Sequence, residues 1–398
     1  MDRRAALRSM GFGFAAAAVG SAWMEECVGA GLTPTLRVSQ DIPGPAEGVV
    51  RILYNENPLG CSPRASAALK ELSTSTQYYG FREARMFIDR LRRYNGLPGL
   101  PNADSLSFQD SEPTGDYSLM LGVGSSELLK ALAQATMGAG GTVIEPDPSY
   151  RAVGSAAMIV NPDCNVKRIP VDAMGNLDLK AMLSAVDDST RLIVVTNPNN
   201  PTGGCVDVKA LTSFVDSVPE SVTILIDEAY IEYAENMDEI SAIPLATSRP
   251  NVLVARTFSK LYGLAGLRLG YGIASNQLLE KITPYVLGML GINSAVIAAA
   301  SAALQDEEHA AKARQLAKNF RSVMQSELPK YGLKVYPGNA PFVWAQAAGD
   351  ATVLVKKLAT DGVLISSGER WERPDCVRIS AATESQTAQL LSSLKRHA

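Results

Sequence analysis

The sequence predicts an α/β fold: a large domain with a mainly parallel sheet covered by helices, followed by a smaller α+β domain. Three observations carry this. Between Leu121 and about Ala274, apolar strand-like runs alternate with stretches of helical periodicity, the pattern of a sheet covered on both faces. Polar, Gly- and Pro-containing phrases close those runs, where open α/β sheets bind ligands. After about Tyr285 the pattern changes to two helices and then short strands. The 398 residues are enough for one large and one smaller domain.

Taken in order, residues 1–22 combine a basic start (Arg3, Arg4, Arg8), a short apolar run and a small-residue close at Gly20-Ser21-Ala22. They read as an export signal of twin-arginine type. The run is too short to span a membrane, which takes about 20 apolar residues. The alternative is an Ala-rich extension of a cytoplasmic protein. A twin-arginine route moves folded chains, which suits a periplasmic protein that takes up a cofactor before export.

Residues 23–60 form an N-terminal arm, punctuated by Gly and Pro. The large domain is expected over 61–284 and the small one over 285–398. Helices are expected at 62–72 and 81–94, and a polar loop at 95–117. Strands follow at 142–145, 166–170, 192–196, 223–227, 252–256 and 269–273, with helices such as 127–137 and 179–186 between them. The small domain reads as helices at 293–304 and 307–328, strands at 334–336, 342–345, 362–365 and 376–379, and a final helix after Thr383.

Composition excludes several classes. At 46% hydrophobic and 20% charged, with net charge −4, the chain suggests neither disorder nor a nucleic-acid partner. His309 and His397 are the only histidines and lie away from the motifs, which disfavours histidine catalysis and metal sites. The five cysteines (Cys27, Cys61, Cys164, Cys205, Cys376) form no C-x-x-C pair and read mostly as small apolar residues.

The chemistry is concentrated around Lys260. In Thr257-Phe258-Ser259-Lys260, with Arg268 following in Gly266-Leu267-Arg268-Leu269-Gly270, an amine stands among hydroxyls and a guanidinium. An aldehyde-and-phosphate cofactor needs that set: the amine for a Schiff base, and Thr257, Ser259 and Arg268 for the phosphate.

Gly122-Val123-Gly124-Ser125-Ser126-Glu127 opens a helix and offers an anion site, or simply a helix cap. Tyr150, in Asp147-Pro148-Ser149-Tyr150, can stack on a planar ring or pack on the surface. Thr196-Asn197-Pro198-Asn199-Asn200-Pro201-Thr202-Gly203 ends a strand and either aims the Asn200 amide at a phenolic oxygen or makes a turn. Asp227-Glu228-Ala229-Tyr230 ends another. Asp227 suits a protonated pyridine nitrogen, with an N-cap as the alternative, and Tyr230 suits the phenolic oxygen.

In this order the phrases closely resemble the fold-type I aminotransferases dependent on pyridoxal 5′-phosphate. Asn55-Glu56-Asn57-Pro58-Leu59-Gly60 and Asp227-Glu228-Ala229-Tyr230-Ile231-Glu232 resemble the histidinol-phosphate aminotransferase branch, from about Asp41 onward. The resemblance implies a ping-pong amine transfer between an amino acid or amine and a keto acid. Lys260 is then the Schiff-base residue and proton carrier, Asp227 and Tyr230 act with it, and Ser125, Ser126, Ser259 and Arg268 hold the phosphate. It also implies that Tyr78 reaches the phosphate of a neighbouring subunit in a homodimer, and that Arg378, with Asn57, meets the substrate.

Two departures bear on that substrate. Ser366 stands where the family commonly has a second arginine, and Asp41 where its arm often has a tyrosine; both disfavour a phosphate dianion. Arg370 or Arg373 are near enough in sequence to compensate. Two rivals stand beside transamination: decarboxylation or a lyase reaction on the same fold, and a non-catalytic regulator, which the intact Lys260, Asp227, Asn200 and Arg268 set disfavours.

Overall fold

In the computed structural model, which describes residues 48–72, 76–100 and 115–397, the chain runs through thirteen strands. The first, β1 (Val50–Arg51), precedes helices α1 (Pro63–Leu72) and α2 (Phe81–Tyr94). Then follow β2 (Tyr117–Gly122), α3 (Ser125–Met137), β3 (Thr142–Asp147), α4 (Ala152–Val160), β4 (Asn165–Pro170), α5 (Leu179–Ser184), β5 (Thr190–Thr196), α6 (Val208–Ser217) and β6 (Thr223–Asp227). Short helices α7 (Met237–Ile240) and α8 (Ile243–Ser248) lead to β7 (Val252–Thr257), β8 (Gly270–Ser275) and α9 (Asn276–Ile282). The remainder is α10 (Ser294–Ala303), α11 (Glu307–Glu327), β9 (Lys334–Val335), β10 (Phe342–Gln346), α12 (Thr352–Thr360), β11 (Val363–Leu364), β12 (Ser366–Ser367), β13 (Cys376–Ser380) and α13 (Glu384–His397). The predicted signal, Asp41 and most of the 95–117 loop lie outside the described residues.

Seven strands form the large sheet in the order β2-β8-β7-β6-β5-β3-β4. β8 alone runs against the others, antiparallel to both β2 and β7. The central strands are apolar throughout because both faces are covered. Along β6, Leu225 points into one core with Leu192, Leu253 and Leu132. Its neighbours Ile224 and Ile226 point into the other, with Ile193 and Val254. This period of two places Asp227 at the strand's carboxyl end.

Two differences from the sequence reading have clear causes. The edge strand β2 was not anticipated: its Leu119–Leu121 run sits between a polar loop and the Gly122-Val123-Gly124 phrase, which dominate the local pattern. The strand expected at 362–365 divides. Val363 and Leu364 pair in parallel with Val50 and Arg51, while Ser366 and Ser367 join a second sheet, β12-β13-β10-β9. That division ties the start of the described chain to its last third.

Beneath the carboxyl ends of β6 and β7 lies a buried ion pair. Arg256 Nε donates to Glu228 Oε2 at 2.8 Å. Its other nitrogens donate to Ser241 Oγ at 2.7 Å and Asn95 Oδ1 at 2.8 Å. Both partners are essentially sealed from solvent. Removing one member of such a pair strands the other charge, at a cost of about 3–5 kcal/mol. Arg256→Leu should therefore lower the urea midpoint of the ligand-free protein correspondingly; an unchanged midpoint would show that the pair does not hold the strand ends.

Candidate active site

The carboxyl ends of β5, β6 and β7 open into a cavity of about 240 Å³. Its walls come from Tyr54 and Glu56, the start of α3, Tyr150, the Thr196 and Asn200 loop, Asp227 to Tyr230, and the stretch from Thr257 to Arg268.

One end is built for an anion. Helix α3 starts after Gly124, whose φ of +72° suits glycine, and no side chain caps its first turn. Glu127 instead turns back to accept Val123 N at 2.7 Å. The free N–H groups join the hydroxyls of Ser125, Ser126 and Ser259 and the guanidinium of Arg268. Arg268 Nη1 donates to Ser259 Oγ at 3.2 Å and Ala265 O at 2.9 Å. A side chain at Gly124 would run into that guanidinium.

Lys260 stands beside this end. Its Nζ donates to Tyr54 O at 3.0 Å and lies 5.7 Å from the Tyr230 ring centroid. Burial, with the positive charges of Arg378 and Arg268, brings its pKa down to about 8; the carboxylate of Glu56 pulls the other way. The Lys260 loop is held from outside. Asn57 Nδ2 donates to Leu261 O at 2.7 Å, and Gly263 presses on the Gly60 backbone.

The cavity also receives a carboxyl, a phenol and an amide. Asp227 accepts from Ala229 N at 3.2 Å, and burial raises its pKa to about 7. The Tyr230 hydroxyl accepts from Asn55 Nδ2 at 2.9 Å. Asn55 is held in the left-handed region (φ +55°) by Ser380, whose Oγ accepts from Asn55 N at 2.9 Å and donates to Asn55 Oδ1 at 2.8 Å. Arg378 Nη1 donates to Asn200 Oδ1 at 2.6 Å, which leaves the Asn200 NH₂ group as the end that can donate elsewhere. Arg378 is itself buried; burial first, then Arg370, push its pKa down to about 9, and its Nε has no protein partner.

Ser125, Ser126, Tyr150, Asn200, Asp227, Tyr230, Ser259, Lys260 and Arg268, all singled out from the sequence, line this one cavity. Three do not: Arg378 stands behind Asn200, to which it donates, and Asn57 and Tyr78 lie elsewhere. Asn57 is engaged with the backbone: its Nδ2 donates to Leu261 O and its Oδ1 accepts from Leu59 N at 3.0 Å, so it positions the Lys260 loop. Tyr78 is 70% exposed and away from this chain's cavity. Sequence reading missed Tyr54, Asn55 and Glu56; the phrase Asn55-Glu56-Asn57 marked the place but not which side chains turn inward.

The cavity fits pyridoxal 5′-phosphate. A glycine-based cradle with hydroxyls and one guanidinium suits the phosphate, an amine of lowered pKa suits the aldehyde, and a buried carboxyl suits a pyridine nitrogen.

Known proteins agree. The family model for aminotransferase class I and II matches residues 56–394. Histidinol-phosphate aminotransferase 2 of Pseudomonas fluorescens (strain Pf0-1) is 32% identical over 348 residues, covering 87% of this chain and 88% of that one. The histidinol-phosphate aminotransferase of Bacillus pumilus is 33% identical over 347 residues, with 87% and 89% covered. Among solved structures, the histidinol-phosphate aminotransferase of Sinorhizobium meliloti in complex with pyridoxal-5′-phosphate superposes with a TM-score of 0.76 at 25% identity, over 88% of this chain and 92% of that one.

Asp227 yields a pH-dependent prediction. Its folded pKa lies above that of a free carboxyl, so ionising it in place costs stability as pH rises from about 4 to about 7. Ligand-free Asp227→Asn should melt above the wild type at pH 8, and the gap should close as pH falls towards 4. A gap independent of pH would contradict this account.

Proposed function

The chain belongs to the class I and II aminotransferases, and we propose the following division of labour among its residues. The protein is a pyridoxal 5′-phosphate-dependent transaminase, exchanging an amino group between a donor and a keto acceptor. When bound, the cofactor supplies an aldehyde for amine exchange and a conjugated ring that takes up the electron pair left at Cα.

Lys260 Nζ holds the cofactor and later carries the Cα proton. Both tasks need the neutral amine, which a pKa of about 8 makes available near neutrality. Asp227, a buried carboxyl at the end of β6, would pair with the ring nitrogen. Asn200 and Tyr230 donate to the phenolic oxygen, their orientations set by Arg378 and Asn55. Tyr150, hydrogen-bonded to Ser126, covers the ring. The α3 terminus, Ser125, Ser126, Ser259 and Arg268 hold the phosphate. Arg378 would receive a substrate carboxylate, a reading supported by its contact with Asn200, which lines the cavity.

Two further features belong to the proposal. The exposed pair Tyr78 and Tyr79 supports a homodimer in which Tyr78 crosses to the partner's phosphate. The Arg3-Arg4 leader supports export of the folded protein to the periplasm.

Visible spectroscopy tests the core of this. The purified protein should absorb near ~420 nm, and a suitable L-amino acid should move the band to ~330 nm with release of keto acid rather than CO₂. Lys260→Ala should lose the ~420 nm band and the activity. Cofactor capture by ligand-free protein should quicken as pH rises through about 8 and level off above it, as the amine becomes neutral. A Lys260→Ala protein with full activity would sink the assignment.

The shared site has its own test. Mixing Lys260→Ala and Tyr78→Ala chains under subunit exchange should restore up to about a quarter of the wild-type sites, because one mixed site has both residues intact. No recovery, despite mixed dimers being formed, would place Tyr78 outside the site.

A further inference from the structure

Tyr150 and Asn200 reach the cavity from two different loops, and one buried side chain ties those loops together. Asn199 lies in the loop after β5 and is fully buried. Its Nδ2 donates to Pro148 O at 3.0 Å and to Thr202 Oγ1 at 2.9 Å. Pro148 stands just before Ser149 and Tyr150 in the loop after β3. The direction of these bonds is determined. A carbonyl only accepts, and the Thr202 hydroxyl gives its one proton to Gly175 O at 2.6 Å. Both neighbours of the Asn199 amide are therefore acceptors, and only its NH₂ end can face them.

The backbone closes around the same residue. Asn199 N donates to Gly204 O at 2.9 Å, and Gly203 N donates to Asn199 O at 2.8 Å. Residues 199–204 thus form a closed loop that holds Asn200. A side chain at Gly204 would strike Gly175 O and Asn176 Oδ1, so this loop sits hard against the turn between β4 and α5. The Tyr150 loop is gripped at two successive carbonyls. Asn199 takes Pro148 O, and Trp371 Nε1 donates to Ser149 O at 2.9 Å. Asn199 does not line the cavity, whereas Asn200 and Tyr150 both do.

We infer that Asn199 is a positioning residue: its two donated hydrogen bonds set the Tyr150 loop and the Asn200 loop in one register, so that the phenol covering the cofactor ring and the amide addressing its phenolic oxygen are placed together. The inference rests on the transaminase reading of the site. An apolar side chain at this position leaves the buried Pro148 carbonyl without its donor, and the two loops then part to find other partners.

The test follows the ~420 nm band of the holoenzyme as pH rises, where it gives way to one near ~360 nm. An amide donating to the phenolic oxygen spreads its charge and loosens the proton held beside it at Lys260 Nζ, so losing that donor raises the pH midpoint. Asn200→Ala should raise it by about one unit, the worth of one hydrogen bond to a charged group. Asn199→Leu, similar in size but unable to donate, should raise it by at least about half as much. The double variant should match Asn200→Ala, because Asn199 works through that amide. Leu390→Ala, in the core and not on the cavity wall, should lower the urea midpoint and leave the band unmoved. In the ligand-free protein Asn199→Leu should also speed hydrogen exchange at the Tyr150 and Gly203 amides. If Asn199→Leu does not accumulate folded, Thr202→Val, which removes one of the two acceptors, should give the same changes at smaller size. A midpoint that stays at the wild-type value, a double variant that sums the two shifts, or unchanged exchange at both amides overturns the inference. Donor-driven conversion of the wild-type band reports separately on the transaminase reading. If that conversion occurs while the midpoint ignores Asn199, only the present inference falls.

Discussion

Everything at the cavity hangs on two strand ends that a buried ion pair fastens together. Glu228 and Arg256 leave β6 and β7 side by side, and their salt bridge is closed to water. Asp227 immediately precedes one partner, while Thr257, Ser259 and Lys260 follow the other. The carboxyl for the ring nitrogen and the amine for the aldehyde are thus set on a common base. The same exclusion of water shifts Asp227 upward, and Lys260 and Arg378 downward. A single cause prepares three groups: low polarity makes each charge costly until its proper counterpart arrives.

The two parts of the chain divide the work. The large sheet carries Asp227 and leads into the Lys260 loop, and the smaller sheet carries Arg378. They meet through short polar links. Asn55 bridges Tyr230 and Ser380, and Arg378 bridges Asn200, Ser366 and Leu53. Arg378 is therefore one hydrogen bond from the Asn200 amide that lines the cavity.

Much of this was legible in the sequence, for a physical reason. Groups that touch the cofactor sit in strand-end phrases whose composition is dictated by backbone geometry and chemistry together. Ser125, Ser126, Asn200, Asp227 and Lys260 all line one cavity. The central strands were equally plain, because burial on both faces forces unbroken apolar runs. What periodicity does not encode is direction or side-chain aim. The reversed β8 and the edge strand β2 escaped notice, and within Asn55-Glu56-Asn57 the inward and outward residues were confused, because the left-handed Asn55 breaks the alternation.

The Asn55–Ser380 link spans 325 residues, and β1 pairs with β11 rather than with any nearby strand. A ribosome delivers these partners at opposite ends of synthesis, and closing so long a loop carries an entropic cost recovered only when both ends are present. The large sheet can assemble while the chain is still growing, but Asn55 gains its Ser380 contacts and Asn200 its Arg378 contact only when the last strands emerge. Assembly of the catalytic pocket is accordingly a late, chain-length-gated event. A truncated product would keep most of the cofactor ligands and lack the links that orient them.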